Sequence, residues 1–231
     1  MLYLDGSLWP SGKLLEKETI LMDMDGVACG HVDNEHPEMM KTVKPLPYAR
    51  EFVEEKHNMG HLFYILTART YEHAPVTLDW FRKWRFPIDG VIFNKPRGGN
   101  YHYFFTGESV RATRFDGVFD TTYEKHNIQA FSEVMTKPDP NRTIELINQL
   151  HQNNYVCLMT QRTDNVSVDD TLKSYGCILG QNYDQIIYNM PPGPYWHIDD
   201  RIVRATKMGY GELRSTIATI RVFRKSKPTF S

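Results

Sequence analysis

Ile20-Leu21-Met22-Asp23-Met24-Asp25-Gly26-Val27 is the stretch on which the reading of this chain turns. An apolar strand delivers two carboxylates, two residues apart, and then meets a glycine. The period of two along a strand puts Asp23 and Asp25 on the same side, aimed at one place. Two close carboxylates repel each other unless a cation or a proton stands between them. A hard divalent cation held through oxygen, such as Mg²⁺, suits such a pair. Asp23 is then placed to act as a nucleophile and Asp25 to move a proton. The competing reading is a strand that ends in a solvated acidic turn.

Working outward, apolar runs and helical spacing alternate along the chain. Residues 19–24 are expected as the first strand. A helix over 48–56 is introduced by Lys44-Pro45-Leu46-Pro47, proline being tolerated where a helix begins. A strand over 62–66, a helix over 73–84, a short strand over 90–93 and a strand over 101–105 follow. The later half predicts a helix over 141–151, a strand over 155–159 and a helix over 168–175. Strands over 185–188, 195–198 and 216–222 close it. Strands alternating with helices of this length mean an α/β fold of parallel βαβ units, with ligands at the carboxyl ends of the strands.

The chain also repeats itself. Thr67-Ala68-Arg69-Thr70 aligns with Thr160-Gln161-Arg162-Thr163, and Val110-Arg111-Ala112-Thr113 with Val203-Arg204-Ala205-Thr206, both at a shift of 93 residues. Asp25-Gly26-Val27 aligns with Asp116-Gly117-Val118 at a shift of 91. Several short matches in order at nearly one spacing read as a tandem duplication, with one repeat over 1–112 and a second over 113–231.

Composition narrows the class. The chain has 231 residues, 41% of them hydrophobic and 13% aromatic, which suits a globular protein with a sizeable core. No run of roughly 18 apolar residues is present to cross a membrane. The N-terminal MLYLDGSLWPSGK lacks a charged start followed by an apolar stretch, so no secretory signal is read there. Cys29, Cys157 and Cys177 form no CxxC pair, and they read as reduced thiols of a cytoplasmic protein. A net charge of −1 disfavours a general nucleic-acid binder. Residues 201–231 depart from that balance, with eight Lys or Arg against Glu212 alone. They read either as a solvated face with a frayed end or as a patch attracting phosphorylated substrates. A P-loop is absent, His36, His57 and His61 make no HExxH pattern, and no GxSxG elbow occurs.

With DxDG at the end of an apolar strand, the sequence resembles the haloacid dehalogenase (HAD) superfamily. Three further segments carry the resemblance in order. Thr67 ends the strand Leu62-Phe63-Tyr64-Ile65-Leu66, Lys95 follows Val91-Ile92-Phe93-Asn94, and Asp199-Asp200 close Tyr195-Trp196-His197-Ile198. The resemblance implies a Rossmann-like three-layer fold around a parallel sheet, with the two repeats packed together and no large cap. It implies a Mg²⁺-dependent phosphatase in which Asp23 takes the phosphoryl group and Asp25 is the general acid/base. Thr67 would hydrogen-bond the transferring group and Lys95 would neutralise charge. Asp199, supported by Asp200, would complete a metal site with Asp23 and Asp25, the latter through its backbone carbonyl. Phosphoryl transfer is mostly positioning and charge neutralisation, which this set supplies.

The family's paired acids normally follow soon after the lysine. Here Thr106-Gly107 stand in that place, while in the second repeat Arg114 stands at the nucleophile position and Met190 near the lysine position. The losses are complementary. One site built from both halves, through an exchange of strands, would reconcile them. The other reading has Glu108 supply the carboxylate locally, with the second half as lid or scaffold.

Residues 28–45 leave room for only a small flap. The DMDGV form is similar to that of deoxyribonucleotidases, so a small phosphomonoester, a (deoxy)nucleoside monophosphate first, is the expected substrate. Thr-Ala-Arg and Ile-Asp-Asp-Arg are also similar to segments of sugar-phosphate phosphatases and polynucleotide 3′-phosphatases. Arg69 and His197 read either as substrate contacts or as structural hydrogen-bonders, and Tyr101, Tyr103, Tyr195 and Trp196 could stack on a base or sit in the core. A non-catalytic module that binds a phosphorylated ligand is the rival from another class. The sequence leaves open whether the chain forms a homo-oligomer.

Overall fold

A computed structural model describes residues 17–96, 101–106, 110–117, 119, 140–193, 195–200, 202–207 and 219–224. These fall into two compact units. The first takes residues 17–95, then 115–117 and 119, then 195–200. The second takes residue 96, 101–106, 110–114, 140–193, 202–207 and 219–224. The units therefore interleave along the chain instead of dividing it near residue 112. No helix among the described residues is long and apolar enough to cross a membrane.

In the first unit, β1 (Thr19–Met22) is buried throughout. Its neighbours are β2 (Leu62–Leu66), β3 (Gly90–Ile92) and β8 (Tyr195–Asp199). Within the unit the strands run β3-β2-β1-β8, all parallel. Ile20 is in register with Phe63 on one side and Trp196 on the other, and Met22 with Ile65 and Ile198. These residues share one face of the sheet.

The helices of the unit cover that face. After the short α1 (Pro37–Met40), α2 (Ala49–Asn58) buries Ala49, Phe52, Val53 and Lys56, the spacing of one helical stripe. A single 3₁₀ turn (Tyr71–His73) leads into α3 (Ala74–Trp84), which buries Thr77, Trp80 and Phe81. Right-handed crossovers from β1 to β2 to β3 move in one direction, so α2 and α3 end on the same side. Within this unit α2 and α3 thus form one layer. Phe52 packs at 5.8 Å from Trp196 and at 5.0 Å from Phe119, tying β8 and the 115–119 segment to the core. The Lys56 stem reaches across the same rings, its ammonium 5.8 Å from the Trp196 centroid.

In the second unit, β4 (Tyr101–Thr106), β6 (Asn154–Met159), β7 (Gln185–Ile187), β9 (Ile202–Lys207) and β10 (Thr219–Arg224) form a sheet ordered β7-β6-β10-β4-β9. β5 (Val110–Arg114) follows β4 in the chain. The helices α4 (Pro140–His151) and α5 (Asn165–Ser174) flank β6 in sequence, with Asp164 capping α5 through Val166 and Ser167. One expectation fails here. β10 runs antiparallel to both β6 and β4, so this sheet is mixed and not purely parallel.

The two units share a local geometry. Thr67 N donates to Ile92 O (2.9 Å), Lys95 N to Thr67 O (2.8 Å) and Asn94 N to Arg69 O (2.9 Å). Thr160 N donates to Ile187 O (2.9 Å), Met190 N to Thr160 O (2.9 Å) and Asn189 N to Arg162 O (3.2 Å). Asn94 and Asn189 both adopt the left-handed backbone, at φ 60° and 59°. Asp89 accepts from Phe63 N (2.6 Å) as Asp184 does from Val156 N (2.8 Å).

Candidate active site at the carboxyl end of the first sheet

Four neighbouring parallel strands end together, and each delivers a polar residue at or just beyond its last ladder position. β1 leads to Asp23, β2 to Thr67, β3 to Lys95, and β8 ends in Asp199 followed by Asp200. The ladder continues one step past β1, where Asp23 N donates to Ile198 O (2.9 Å). That bond fixes the backbone of Asp23 against the strand from the later half of the sequence. The chain then turns: the amides of Ala28 and Cys29 both donate to Met24 O, and Gly26 N donates to Cys29 O.

Asp23, Asp199 and Asp200 each offer a carboxylate oxygen, and the three oxygens lie within 4.8 Å of one another. Lys95 Nζ forms ion pairs with Asp23 Oδ2 and, at 3.1 Å, with Asp199 Oδ2. Burial pushes the Asp23 carboxyl up to about 7, opposed by Lys95 and reinforced by Asp199 and Asp200. The donors are all hard oxygens, with no thiolate or imidazole among them, so the cluster fits a hard divalent cation. The acids come from two strands that lie side by side but stand far apart in sequence.

Thr67 is fully buried, and its Oγ1 accepts from Arg69 N at 3.1 Å. That leaves the hydroxyl proton as a donor. Asn94, in the left-handed conformation, reverses the chain so that Lys95 N returns to Thr67 O. Lys95 is thereby anchored at its backbone as well as at its ammonium.

Asp25 is oriented differently from Asp23. Arg69 Nε donates to its Oδ2 (2.9 Å) and Arg69 Nη2 to its Oδ1 (2.7 Å), a two-pronged pairing. Its side chain is therefore not among the three clustered acids. Arg69 itself is fully buried, with Nη1 donating to Thr77 Oγ1 (3.1 Å). Its guanidinium faces inward to Asp25, not out to solvent. His197 is also fully buried within β8, its Nε2 3.4 Å from Asp199 Oδ2. It stands against a clustered acid instead of on an open surface. Tyr195 and Trp196 are core residues with no exposure. Glu108, the side chains of Tyr101, Tyr103 and Arg114, and the side chains of the basic segment 201–231 lie outside the described residues.

The flap between Cys29 and Pro45 is small, and α1 is its helix. Leu46 N donates to Ala28 O, and Cys29 pairs with Pro45, closing its base. Trp80 Nε1 donates to Val43 O (2.7 Å), and Asn34 Nδ2 donates to Ala68 O (3.0 Å), between Thr67 and Arg69. Cys29 Sγ lies 3.7 Å from Asp25 Oδ1, and burial pushes this thiol upward, so it stays neutral.

Sequence reasoning missed Thr77, Asn34 and Cys29 as neighbours of the site. A signal existed for Thr77, a hydroxyl at the buried spacing of Thr77, Trp80 and Phe81 on α3. Asn34 and Cys29 carry no comparable sign. No family model, curated protein or solved structure matches the chain.

Proposed function

We propose that this protein is a Mg²⁺-dependent phosphatase of the haloacid dehalogenase type, acting on a small phosphomonoester. The observation that carries the reading is the constellation at the strand ends: three carboxylates within 4.8 Å of one another, two of them held by Lys95. Asp23 stands at its centre.

In this reading an Asp23 carboxylate oxygen attacks phosphorus, and the bond from phosphorus to the leaving oxygen breaks. Asp25 gives a proton to that oxygen. Water then attacks the aspartyl-phosphate, Asp25 takes the proton back, and free phosphate leaves. Thr67 donates its hydroxyl to a phosphoryl oxygen, and Lys95 offsets negative charge on both nucleophile and phosphate. Bound Mg²⁺, held by Asp23, Asp199, Asp200 and the Asp25 carbonyl, would supply further charge neutralisation at the phosphoryl group. Fixed charges at the place where charge develops are worth more in a buried site than in water.

The recurring hydrogen-bond pattern around Thr67 and Thr160 supports a tandem duplication, with β8 and β4 exchanged between the two halves. In that view the second unit keeps the scaffold and has lost the chemistry. Met190 is a buried apolar side chain at the lysine position, and antiparallel β10 lies next to β6 where the first unit has β1. Three buried cysteines outside any disulfide support a reducing, cytoplasmic setting.

The substrate is a nucleoside monophosphate in first place, with sugar phosphates and DNA 3′-phosphate ends as alternatives. Phosphate release with Mg²⁺, measured across such a panel for the wild type, Asp23→Asn and Asp199→Asn, tests the reading. Turnover by the wild type and none by either variant supports it. Retained Mg²⁺-dependent binding of a phosphorylated ligand without release would make the protein a binding module instead.

A further inference from the structure

The buried Arg69 guanidinium calls for an account of its own. Burying a cation is costly unless it is paired and hydrogen-bonded, and a side chain built only to fill space would not carry a charge. All three of its nitrogens are directed at named acceptors. Nε and Nη2 take the two oxygens of Asp25 (2.9 and 2.7 Å), Nη1 takes Thr77 Oγ1 (3.1 Å), and Cys29 Sγ stands 4.0 Å from Nη2.

The backbone beneath it is fixed as well. Arg69 N donates to Thr67 Oγ1, Arg69 O accepts from Asn94 N, and the preceding Ala68 O accepts from Asn34 of the flap. The guanidinium cannot turn toward solvent without breaking its bonds to Asp25 and Thr77. Asp25, by contrast, keeps 13% of its side chain exposed. The fork therefore grips the carboxylate from the protein side and leaves part of it exposed.

We infer that Arg69 is a positioning residue: it sets the plane and rotamer of the Asp25 carboxyl so that one oxygen meets the leaving group of the substrate. The inference rests on the phosphatase reading, and it removes Arg69 from the list of substrate contacts. A rigid two-pronged donor does this where lysine, a point charge on a flexible stem, does not. Holding a reacting group in a near-attack geometry is worth orders of magnitude in rate. The links from Thr77 and from Asn34 make the flap and α3 part of the same support.

The test uses the full chain with Mg²⁺ and two phosphate esters, one with an activated aryl leaving group and one with an alkyl leaving group. The variants are Arg69→Lys, Thr77→Val, Asp25→Asn and the Arg69→Lys/Asp25→Asn pair. Proton delivery matters most for the alkyl ester. Arg69→Lys is expected to lower the single-turnover rate of alcohol release from it by about 100-fold, with a much smaller loss in phenol release from the aryl ester and little change in KM. Thr77→Val, which removes only one anchoring hydroxyl, is expected to show the same pattern more weakly and guards against misfolding of the lysine variant. In the Asp25→Asn background, Arg69→Lys should cost nothing further.

Equal losses on both esters, a raised KM with an unchanged single-turnover rate, or additive losses in the double variant would overturn the inference while the phosphatase reading stands. A wild type that releases phosphate from neither ester, nor from the panel above, overturns both.

Discussion

A β-carbon placed on Gly26 would stand 2.6 Å from Asp200 Oδ2. The glycine therefore meets two demands, a backbone at φ +91° and a close approach by one of the three clustered acids. An L side chain at that φ carries strain of about 1–3 kcal/mol, and here it also pushes against the carboxylate. Gly26→Ala is expected to lower the melting temperature by several degrees. It should also weaken metal binding by about 10–100-fold, read by calorimetric titration with Mg²⁺. Unchanged affinity would show that Asp200 is no ligand.

The metal-free protein should carry an unusual pH dependence. Asp23 rises from 3.8 to about 7 because burial disfavours its charged form. The folded protein then holds this proton more tightly than the unfolded chain does. Its contribution to stability is complete below the unfolded value and is lost as pH rises through the folded one. Melting curves in a chelator between pH 5 and 8 should show the wild type losing stability relative to Asp23→Asn. Parallel curves would mean that Asp23 is already ionised across that range.

Lys95 joins Asp23, the proposed nucleophile, to Asp199 from the later half of the sequence. Asp199→Asn keeps the shape of the side chain but removes its charge. Phosphate release should fall by about 100–1,000-fold, with the melting temperature in excess Mg²⁺ dropping because ligand binding no longer favours the folded state. Full activity in this variant would separate the two halves and direct attention to Glu108.

Much of this was legible because the pattern was local. The run Leu62-Phe63-Tyr64-Ile65-Leu66 is apolar and bounded, and it forms β2 over those residues. The first strand stops at Met22, before the anticipated Met24, because Met24 O already accepts from the turn that follows. The place of β8 beside β1 was readable only from a deficit, acids missing at Thr106-Gly107 and present at Asp199-Asp200. Strand direction was not readable at all. Alternation looks the same in either sense, so antiparallel β10 and the pairing of β9 with β4 carry no local mark. The pairing of Asp25 with Arg69 spans 44 residues and depends on two strand ends arriving side by side, a relation no window of sequence contains.

The interleaved units make a strong prediction about fragments. Cutting at residue 112 keeps β1, β2, β3 and α3 but removes β8 and the 115–119 segment from the same core. β1 then loses its ladder to Tyr195, Trp196, His197 and Ile198 and becomes an exposed, mostly apolar edge. Phe52 loses its packing against Trp196 and Phe119. A 1–112 fragment should be aggregated or loosely packed, with strong dye binding and poorly dispersed amide resonances. In the full chain, Trp196→Ala should cost about 3–5 kcal/mol, measured by urea unfolding. A fragment that folds cooperatively and binds Mg²⁺ would show that residues 1–112 hold a complete sheet and site on their own.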